Sequence, residues 1–385
     1  MPNMKPERNS PARSETANRF FGGGVFEWQI PQDKRDTWER YVYNPDSWWG
    51  DFPRDAQPVK DLAAEFPWAI GPFIKHQGNP IFSPEPDSWD CGHYDGGVHN
   101  GSIILHDGKF HYIYRGERPI DVKSDSRIDY ICDIGLAVSE DGIHLERERG
   151  CSPFFRHGDR RKYSYEDVNI VRHAGGYYLF CNQWFWERQQ DPTSCGTFLA
   201  TSRDLRNWTP HGLVFPKAQR IHRNGVVLQS PTNDAVAVNG KFIMYINDGL
   251  MGLSDDLIHW ESVEIGQRWP GGEGCFALTG HNAAAPDDIV LFTGGHHTGH
   301  FYAVGEVLLS AKDPAQPLAW LPSPVLRADP AIPYESGHSA VPPNPPISSF
   351  RDCIFFNGLT RHRKQWWVYY GGSEYYTCLA TAPGL

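Results

Sequence analysis

Acidic side chains stand directly before several apolar runs of this sequence, where buried strands are predicted. Glu166 and Asp167 precede a run that begins at Val168 and passes through a Gly175-Gly176 turn. Ionised groups are costly to bury, so the interior of a sheet rarely holds them without a partner or a task. Two carboxylates in one pocket suit glycosidic bond cleavage: one protonates the leaving oxygen and the other, about 6.5 to 9.5 Å away in an inverting mechanism, activates water.

The elements that must position these groups form a repeat. Two apolar runs around a turn recur at residues 99–115, 168–182, 235–247, 276–294 and 353–371. Asp107-Gly108 and Asn239-Gly240 are strong hairpin signals in two of these units. A second turn of the type Ser-x-Asp follows most units, and we expect its Asp to bond backbone N–H groups. These turns are Ser139–Asp141, Ser202–Asp204, Ser254–Asp256 and a weaker Ser310–Asp313. Five four-stranded units predict an all-β protein, a five-bladed β-propeller.

The last unit lacks a fourth strand, because the run 377–382 lies almost at the C-terminus. An open edge would leave the ring unclosed, so we predict that residues 73–82 supply the missing outer strand. Residues 71–385 form the predicted propeller domain. Residues 1–70 form an aromatic-rich N-terminal extension with one short helical candidate at 59–66. We expect the extension to act as a structural cover or as a contact between subunits in a homo-oligomer, with a lid over the site as the alternative.

The entrances of the innermost strands converge in a propeller, so their polar residues are the candidate site. By unit, they are Asp95, His99 and Asn100; Glu166, Asp167 and Asn169; Gln229, Asn233 and Asp234; Glu273; and Glu335 and His338. Carboxylates brought close together perturb one another's pKa, which is typical of functional sites. Aromatic faces can stack on sugar rings, and the candidates are Trp184, Trp186, Trp269, Tyr370 and Tyr375.

Composition excludes several other classes of function. The formal charge is -10 without a long basic run, which argues against a nucleic-acid partner. The N-terminus lacks the apolar core of a secretory signal, and no run approaches the ~18 apolar residues of a membrane span, so we expect a soluble cytoplasmic protein. Eight cysteines without a Cys-x-x-Cys pair predict reduced, mostly buried thiols. We expect no organic cofactor and no metal, and we interpret His296, His297 and His300 as lining a pocket loop, with His297 contacting substrate.

Several short motifs, in order, resemble those of glycoside hydrolase family 130. They are 78–81, 108–115, 126–128, 135–143, Glu166-Asp167, Tyr334-Glu335, 368–374 and 379–382. The resemblance covers roughly residues 75 to 382. It implies a five-bladed propeller and an activity among those of the family, which contains β-mannoside phosphorylases and β-1,2-mannosidases. Matching positions add Arg115, Tyr370 and Glu374 to the candidate substrate-binding residues.

Departures from the family pattern favour hydrolysis. The phosphorylases continue the Glu-Asp motif with Pro-Arg, and that Arg helps to hold phosphate, whereas Val168 and Asn169 stand here. A bidentate phosphate clamp is weakened without the guanidinium. Two rivals stay open: a phosphorylase in which Arg220, His222 or Arg223 replaces the lost contact, and a non-catalytic carbohydrate-binding propeller.

The catalytic acid is not carried over cleanly. The family's phosphorylases place an Asp after the Tyr-Arg pair, whereas Glu117 and Arg118 stand here. Related family 43 enzymes place their acid before a Pro in the third blade, where this chain has Gln229. By elimination we expect Glu273 and Glu335 to share the acid and base roles in either order, with Asp167 orienting substrate or tuning a pKa and Glu117 in reserve.

Overall fold

A computed structural model describes residues 59–93, 96–119, 130–155, 163–185, 194–247, 249–266, 269–282, 285, 287–297, 300–348 and 350–384. The regular secondary structure of this part of the chain is almost entirely β-strand, mostly antiparallel, as the turn and aromatic content predicts. Its helix, α1, spans Leu62–Glu65 and is shorter than the predicted segment 59–66. Asp61 caps it by accepting a hydrogen bond from the Ala64 N–H at 3.1 Å. Most of the predicted N-terminal extension lies outside the described residues.

The first two sheets each contain four consecutive strands. One is formed by β2 (Val98–His106), β3 (Lys109–Pro119), β4 (Tyr130–Ser139) and β5 (Glu146–Arg147). The next is formed by β6 (Tyr163–His173), β7 (Gly176–Phe185), β8 (Cys195–Ser202) and β9 (Trp208–Leu213). The predicted Asp107-Gly108 and Gly175-Gly176 turns join the first two strands of these sheets. Strand pairing therefore confirms both hairpins.

A larger sheet follows, made of two antiparallel halves whose first strands pair in parallel. One half holds β10 (Val226–Gln229), β11 (Ala237–Val238), β12 (Lys241–Ile246), β13 (Leu250–Ser254) and β14 (Trp260–Glu264). The other holds β15 (Glu273–Thr279), β16 (Ile289–His297), β17 (His300–Leu309), β18 (Pro317–Trp320) and β19 (Leu326–Arg327). Strands β10 and β15 join the halves. The predicted Asn239-Gly240 hairpin is formed by β11 and β12, whereas the first strand of that half is the earlier β10.

The last sheet draws its strands from both ends of the described chain. Its order is β1 (Ile74–Lys75), β22 (Tyr376–Pro383), β21 (Gln365–Gly372) and β20 (Ile354–His362). Ile74 lies opposite Thr381, and Phe82 forms a further bridge with Thr377. This confirms that the segment 73–82 supplies the outer strand.

The first strands of the sheets lie side by side, with β2 between β6 and β20, and β15 between β10 and β20. Apolar clusters fill the space between successive sheets, and one of them joins Tyr369 and Leu379 of the last sheet to Ile103 and Tyr112 of the first. The architecture is all-β and propeller-like. The number of blades stays a prediction.

The Ser-x-Asp turns are structural, as expected. Oδ1 of Asp204 accepts hydrogen bonds from the N–H groups of Arg206 at 2.9 Å and Asn207 at 2.8 Å. Asp141 and Asp256 bind the two equivalent N–H groups in their turns. All eight cysteines are free thiols and six are buried, which agrees with the expectation that most of them lie in the core. Within the described residues, no helix is long and apolar enough to span a membrane.

Candidate active site

Irregular backbone at the start of the first strands aims polar side chains at one another. The register of β2 shifts between His99 and Ser102, and that of β6 shifts between Glu166 and Asn169. A bulge inserts a residue and re-aims its side chain. Asn100 (φ 44°) and Asp167 (φ 51°) lie in these bulges with left-handed backbone, which Asn and Asp tolerate better than most residues. Nδ2 of Asn100 donates to Oδ1 of Asp167 at 3.0 Å, so the two bulges are joined.

Arg115 on β3 lies among four carboxylates. Its guanidinium nitrogens lie 2.6 Å from Glu117, 3.4 Å from Glu166, 3.5 Å from Asp167 and 3.7 Å from Glu374. Glu374 belongs to the turn between β21 and β22, so groups from three sheets meet at this one cation. All five side chains are at least 87% buried. The carboxylates around Arg115 therefore outnumber the single positive charge of its guanidinium.

A second charged pair lies beside this cluster. Glu273, the first residue of β15, forms an ion pair with Arg223, which precedes β10. The hydroxyl of Tyr302 donates to the other oxygen of Glu273 at 2.6 Å. Arg223 also lies 5.7 Å from the ring of Trp184, whose Nε1–H donates to Glu166 at 2.7 Å. Trp184 therefore connects the two charged groups.

Amide side chains link Asp167 to the second pair. Nδ2 of Asn182 donates to Oδ2 of Asp167 at 2.9 Å and to Oδ1 of Asn224 at 2.5 Å. Asn224 has left-handed backbone (φ 52°) like Asn100 and Asp167, and its N–H donates to Asn182. Both oxygens of Asp167 thus accept hydrogen bonds, one from Asn100 and one from Asn182.

The carboxylates of the cluster differ in acidity. Burial alone would raise the pKa of Glu117, but Arg115 and His93 hold it well below the usual range. Burial raises the pKa of Glu166, and Asp167 and Glu117 add to this against the opposing effect of Arg115. Burial also raises the pKa of Glu273, although Arg223 and Tyr302 oppose the shift. Neighbouring carboxylates with separated pKa values are the usual basis of acid and base roles.

The group around Arg115 and the adjoining Arg223–Glu273 pair together form one cluster. Half of the predicted site residues meet in it. It contains Glu117, Asp167 and Glu273 of the predicted catalytic residues, and His99, Asn100, Arg115, Glu166 and Glu374 of the predicted substrate-binding ones. Four residues of the cluster were not predicted as site residues: His93, Asn182, Asn224 and Tyr302. Arg223 was predicted only as a possible phosphate ligand. Arg223 and Asn224 stand directly before β10, a position that the pattern of strand entrances would have selected had β10 been recognised.

Glu335 is not brought into the cluster, which corrects its pairing with Glu273. The side chain is fully buried, and its oxygens accept from Lys75 Nζ at 2.5 Å, the Asp329 N–H at 2.7 Å and the Tyr370 hydroxyl at 2.7 Å. Lys75 belongs to β1, so Glu335 ties the closing strand to the last sheet. Tyr370 is itself fully buried against Glu335 and offers no open ring face. Both residues therefore have structural contacts in place of the expected roles at the site.

The predicted entrance of the third unit is also wrong. Gln229 ends β10, and Asn233 and Asp234 follow it; Asp234 forms an ion pair with Arg172 at the far end of β6. Asn233 donates to Gln229 and to the Leu359 carbonyl, both at 2.9 Å.

Other predicted residues lie apart from the cluster or outside the described part. Oδ1 of Asn169 accepts from the Val227 N–H at 3.0 Å and joins two sheets. His338 lies 3.3 Å from the Ser336 hydroxyl. Asp95 and the side chain of His297 lie outside the described residues, as does Trp186. Trp269 is buried in the core between sheets. Within the described residues, no group of three or more His, Cys, Asp or Glu side chains could hold a metal ion.

Comparison with known proteins identifies relatives in sequence and in fold. No family model matches the sequence. A 1,2-β-oligomannan phosphorylase from Thermoanaerobacter sp. (strain X514) is 27% identical over 310 residues, covering 77% of this chain and 92% of the relative. A β-1,2-mannobiose phosphorylase from the same organism is 25% identical over 326 residues, with the same coverage of each chain.

A solved structure shares the fold of this chain. It comes from the GH130 family of mannoside phosphorylases, which contains glycoside hydrolases that target β-1,2 mannosidic linkages in Candida mannan. It superposes with a TM-score of 0.67 and 23% identity, covering 85% of this chain and 96% of the other. The all-β fold is thus common to the two chains. The chain is GH130-like, as its motifs indicate.

Proposed function

We propose that this protein is a glycoside hydrolase that cleaves a β-mannosidic bond, by an inverting mechanism, at the axis of a five-bladed propeller. An enzyme acting on glycosides is supported by the GH130-like sequence and fold, and the named relatives act on β-1,2-linked mannans. The choice of hydrolysis rests on one observation: both guanidinium groups of the cluster already have carboxylate partners.

Charge balance supports water as the attacking group. Five carboxylates face two guanidinium groups, since Arg115 contacts four of them and Arg223 pairs with Glu273. With one acid protonated and His99 counted as a third cation, four carboxylates still face three positive charges. An incoming phosphate anion would therefore meet repulsion, because like charges in a desolvated site are strongly unfavourable. A neutral water molecule meets no such barrier.

The sequence difference after Asp167 supports the same choice. Asn169 stands where the resembled phosphorylases carry an Arg, and its side-chain oxygen accepts from Val227 N–H inside the sheet contact. It is 1% exposed and contributes no cation to the cluster.

We assign Glu273 as the base that activates water. Arg223 and Tyr302 orient its carboxylate, and burial raises its pKa, which makes it a stronger base than an ordinary Glu. Glu166 supplies the proton to the leaving oxygen, because burial and the neighbouring Asp167 and Glu117 raise its pKa against the opposing effect of Arg115. Asp167, which also lies beside Arg115, orients the substrate. Trp184 is half-buried beside both groups and is suited to stack on a sugar ring.

A phosphorylase on the same scaffold is the second candidate. The named relatives favour it, because both are phosphorylases. Of the cations predicted to replace a phosphate ligand, only Arg223 reaches the cluster within the described residues. Arg220 lies 3.5 Å from Glu264, and His222 contacts the Arg220 carbonyl.

A Glu273→Gln variant tests whether the cluster is catalytic. We expect kcat on β-1,2-mannobiose to fall by about 10³-fold, because a general base contributes on the order of 10² to 10⁴, while the Kd measured by calorimetry changes little. Glu335→Gln is the matched control, a buried Glu outside the cluster, and should keep its kcat. A wild-type protein that binds mannosides without turnover would support the carbohydrate-binding alternative. Equal loss of activity in both variants would contradict the assignment of Glu273.

The cytoplasmic location and a homo-oligomer formed through the N-terminal extension remain proposals. Light scattering of the whole chain would give its mass in solution and so test the second of these.

A further inference from the structure

Glu117 has an environment unlike that of the other carboxylates in the cluster. It is 1% exposed, and one oxygen contacts His93 Nε2. The other oxygen lies 3.0 Å from His99 Nε2 and 2.6 Å from Arg115 Nε. Three cationic or proton-donating groups thus surround one carboxylate that has almost no access to solvent. Such a group can neither reach a substrate nor hold a proton to donate, because its pKa lies well below the usual range.

His99 extends this buried network towards the opposite side of Arg115. Its Nε2 faces Glu117, while its Nδ1 lies 3.4 Å from Oε2 of Glu374. Nε2 is within hydrogen-bond distance of Glu117, whereas Nδ1 makes a charge contact with Glu374 but no hydrogen bond. Two carboxylates beside one ring favour its positive charge. Burial lowers the pKa of His99, but Glu374 and Glu117 together outweigh this and leave it raised.

The network ends at the carboxylates to which the reaction is assigned. Glu374 accepts from Nδ2 of Asn100 at 3.2 Å, and the same nitrogen donates to Asp167. Arg115, held at its Nε edge by Glu117, turns its other nitrogens to Glu166 and Asp167. Two routes therefore lead from Glu117 to Asp167, one through Arg115 and one through His99, Glu374 and Asn100.

We propose that Glu117 and His99 are positioning residues that form a buried pair of opposite charges. This pair holds Arg115 and Glu374 in place beside Glu166 and Asp167. This rests on the proposed function, and it replaces the reserve catalytic role that the sequence predicts for Glu117. The pair orients charges that contact substrate without contacting substrate itself.

Removing the charge of Glu117 should change the acidity of its neighbours in a defined direction. The groups that face Glu166 are Arg115, Asp167, Glu117, Arg223 and the Cys132 thiol. Glu117 raises the pKa of Glu166 and Arg115 lowers it, so Glu117→Gln leaves Arg115 less opposed and lowers the pKa of Glu166. Because Glu166 is the assigned proton donor, the alkaline limb of kcat must move to lower pH.

The test is the pH profile of kcat on β-1,2-mannobiose for Glu117→Gln. We expect the alkaline limb to shift down by about one pH unit, equivalent to about tenfold lower kcat above the limb. Glu306→Gln is the matched control, since Glu306 is an equally buried Glu that accepts from the Ile70 N–H and belongs to another part of the fold. It should leave both limbs unchanged. An unshifted limb in a folded Glu117→Gln enzyme would overturn the proposal.

A second readout does not depend on turnover. Histidine labelled with ¹³C at Cε1 gives one NMR signal per ring, and His99→Gln identifies the signal of His99 by its loss. We expect the pKa of His99 to fall in Glu117→Gln and to stay at the wild-type value in Glu306→Gln. A protein inactive on every glycoside that still shows this fall would refute the proposed function and keep the charge pair. An unchanged His99 titration would refute the pair even in an active hydrolase.

Discussion

The variant Glu335→Gln tests whether the Glu335 carboxylate has a structural or a catalytic role. In Glu335→Gln, the amide keeps the size of the side chain but loses the charge that faces Lys75 Nζ at 2.5 Å and the Asp329 N–H at 2.7 Å. Whichever way the amide is turned, an NH₂ group then faces one of the donors that the carboxylate accepted: Lys75, Asp329 N–H or the Tyr370 hydroxyl. Breaking one partner of a buried ion pair costs about 3 to 5 kcal/mol.

The expected shift in melting temperature follows from the size of the chain. Unfolding entropy is about 2.1 cal/mol/K per residue. For 385 residues this is roughly 0.8 kcal/mol/K. A loss of 3 to 5 kcal/mol therefore lowers Tm by about 4 to 6 °C. The side chain of Lys75 is 23% exposed, so solvent screens part of the interaction and the lower end of this range is expected.

Calorimetry measures Tm and steady-state kinetics measure kcat. Together with Glu335→Gln, the variant Lys75→Met and the double variant form a double-mutant cycle. The two single changes should each lower Tm, and the double variant should lose less than their sum by about 1 to 3 kcal/mol, since both act on one contact. The kcat of Glu335→Gln should stay within about threefold of wild type at a temperature where the variant is folded. A 10³-fold loss of kcat with unchanged Tm would refute the structural role and restore Glu335 to the catalytic pair.

Three further changes have defined outcomes. Trp184→Phe keeps a ring but loses the N–H that Glu166 accepts at 2.7 Å, so kcat should fall about tenfold in steady-state assays, and an unchanged kcat would separate Trp184 from the reaction. Burial raises the pKa of Glu306 well above its usual range, so the folded protein loses stability as pH rises above the ordinary Glu value. The free energy of unfolding of Glu306→Gln, measured in urea, should exceed that of wild type by about 1 to 3 kcal/mol at pH 8 and equal it near pH 4. A difference that does not change with pH would contradict this sign. Asp204→Ala should cost about 1 kcal/mol without affecting kcat, and a Tm equal to wild type would show that its turn needs no side-chain bonds.

Local signals in the sequence were sufficient to predict the hairpins and the Ser-x-Asp turns. Turn residues and alternating apolar runs specify neighbours that are close in the chain, so these features could be read without knowledge of the packing. The closing strand follows from a different argument, that an unpaired edge must be covered, and pairing of Ile74 with Thr381 agrees with it.

Two strand entrances were placed wrongly for a physical reason. The first strand of the third unit, Val226–Gln229, has four buried residues and no tight turn of its own, while the Asn239-Gly240 turn marks a later pair. Its entrance was therefore placed one strand late, at Asn233 and Asp234. Glu335 lies 19 residues before Ile354, where the first strand of the last unit begins, and no local signal bridges that gap.

The partners of each charged side chain could not be predicted at all. The contacts of Arg115 with Glu166 and Glu374, and of Arg223 with Glu273, join segments 50 or more residues apart. Burial and these contacts decide which carboxylates stay ionised, so residue types alone left the acid and base roles open.

The most direct test of the central claim is product analysis of the wild-type enzyme acting on β-1,2-mannobiose and longer β-1,2-mannans, with and without inorganic phosphate. Proton NMR identifies the first anomer formed, and chromatography separates free mannose from mannose 1-phosphate. We expect free mannose to be released at equal rates with and without phosphate, with inversion at the anomeric carbon. Mannose 1-phosphate formed only in the presence of phosphate would contradict it, because the site would then accommodate a phosphate anion that the charge balance around Arg115 and Arg223 opposes.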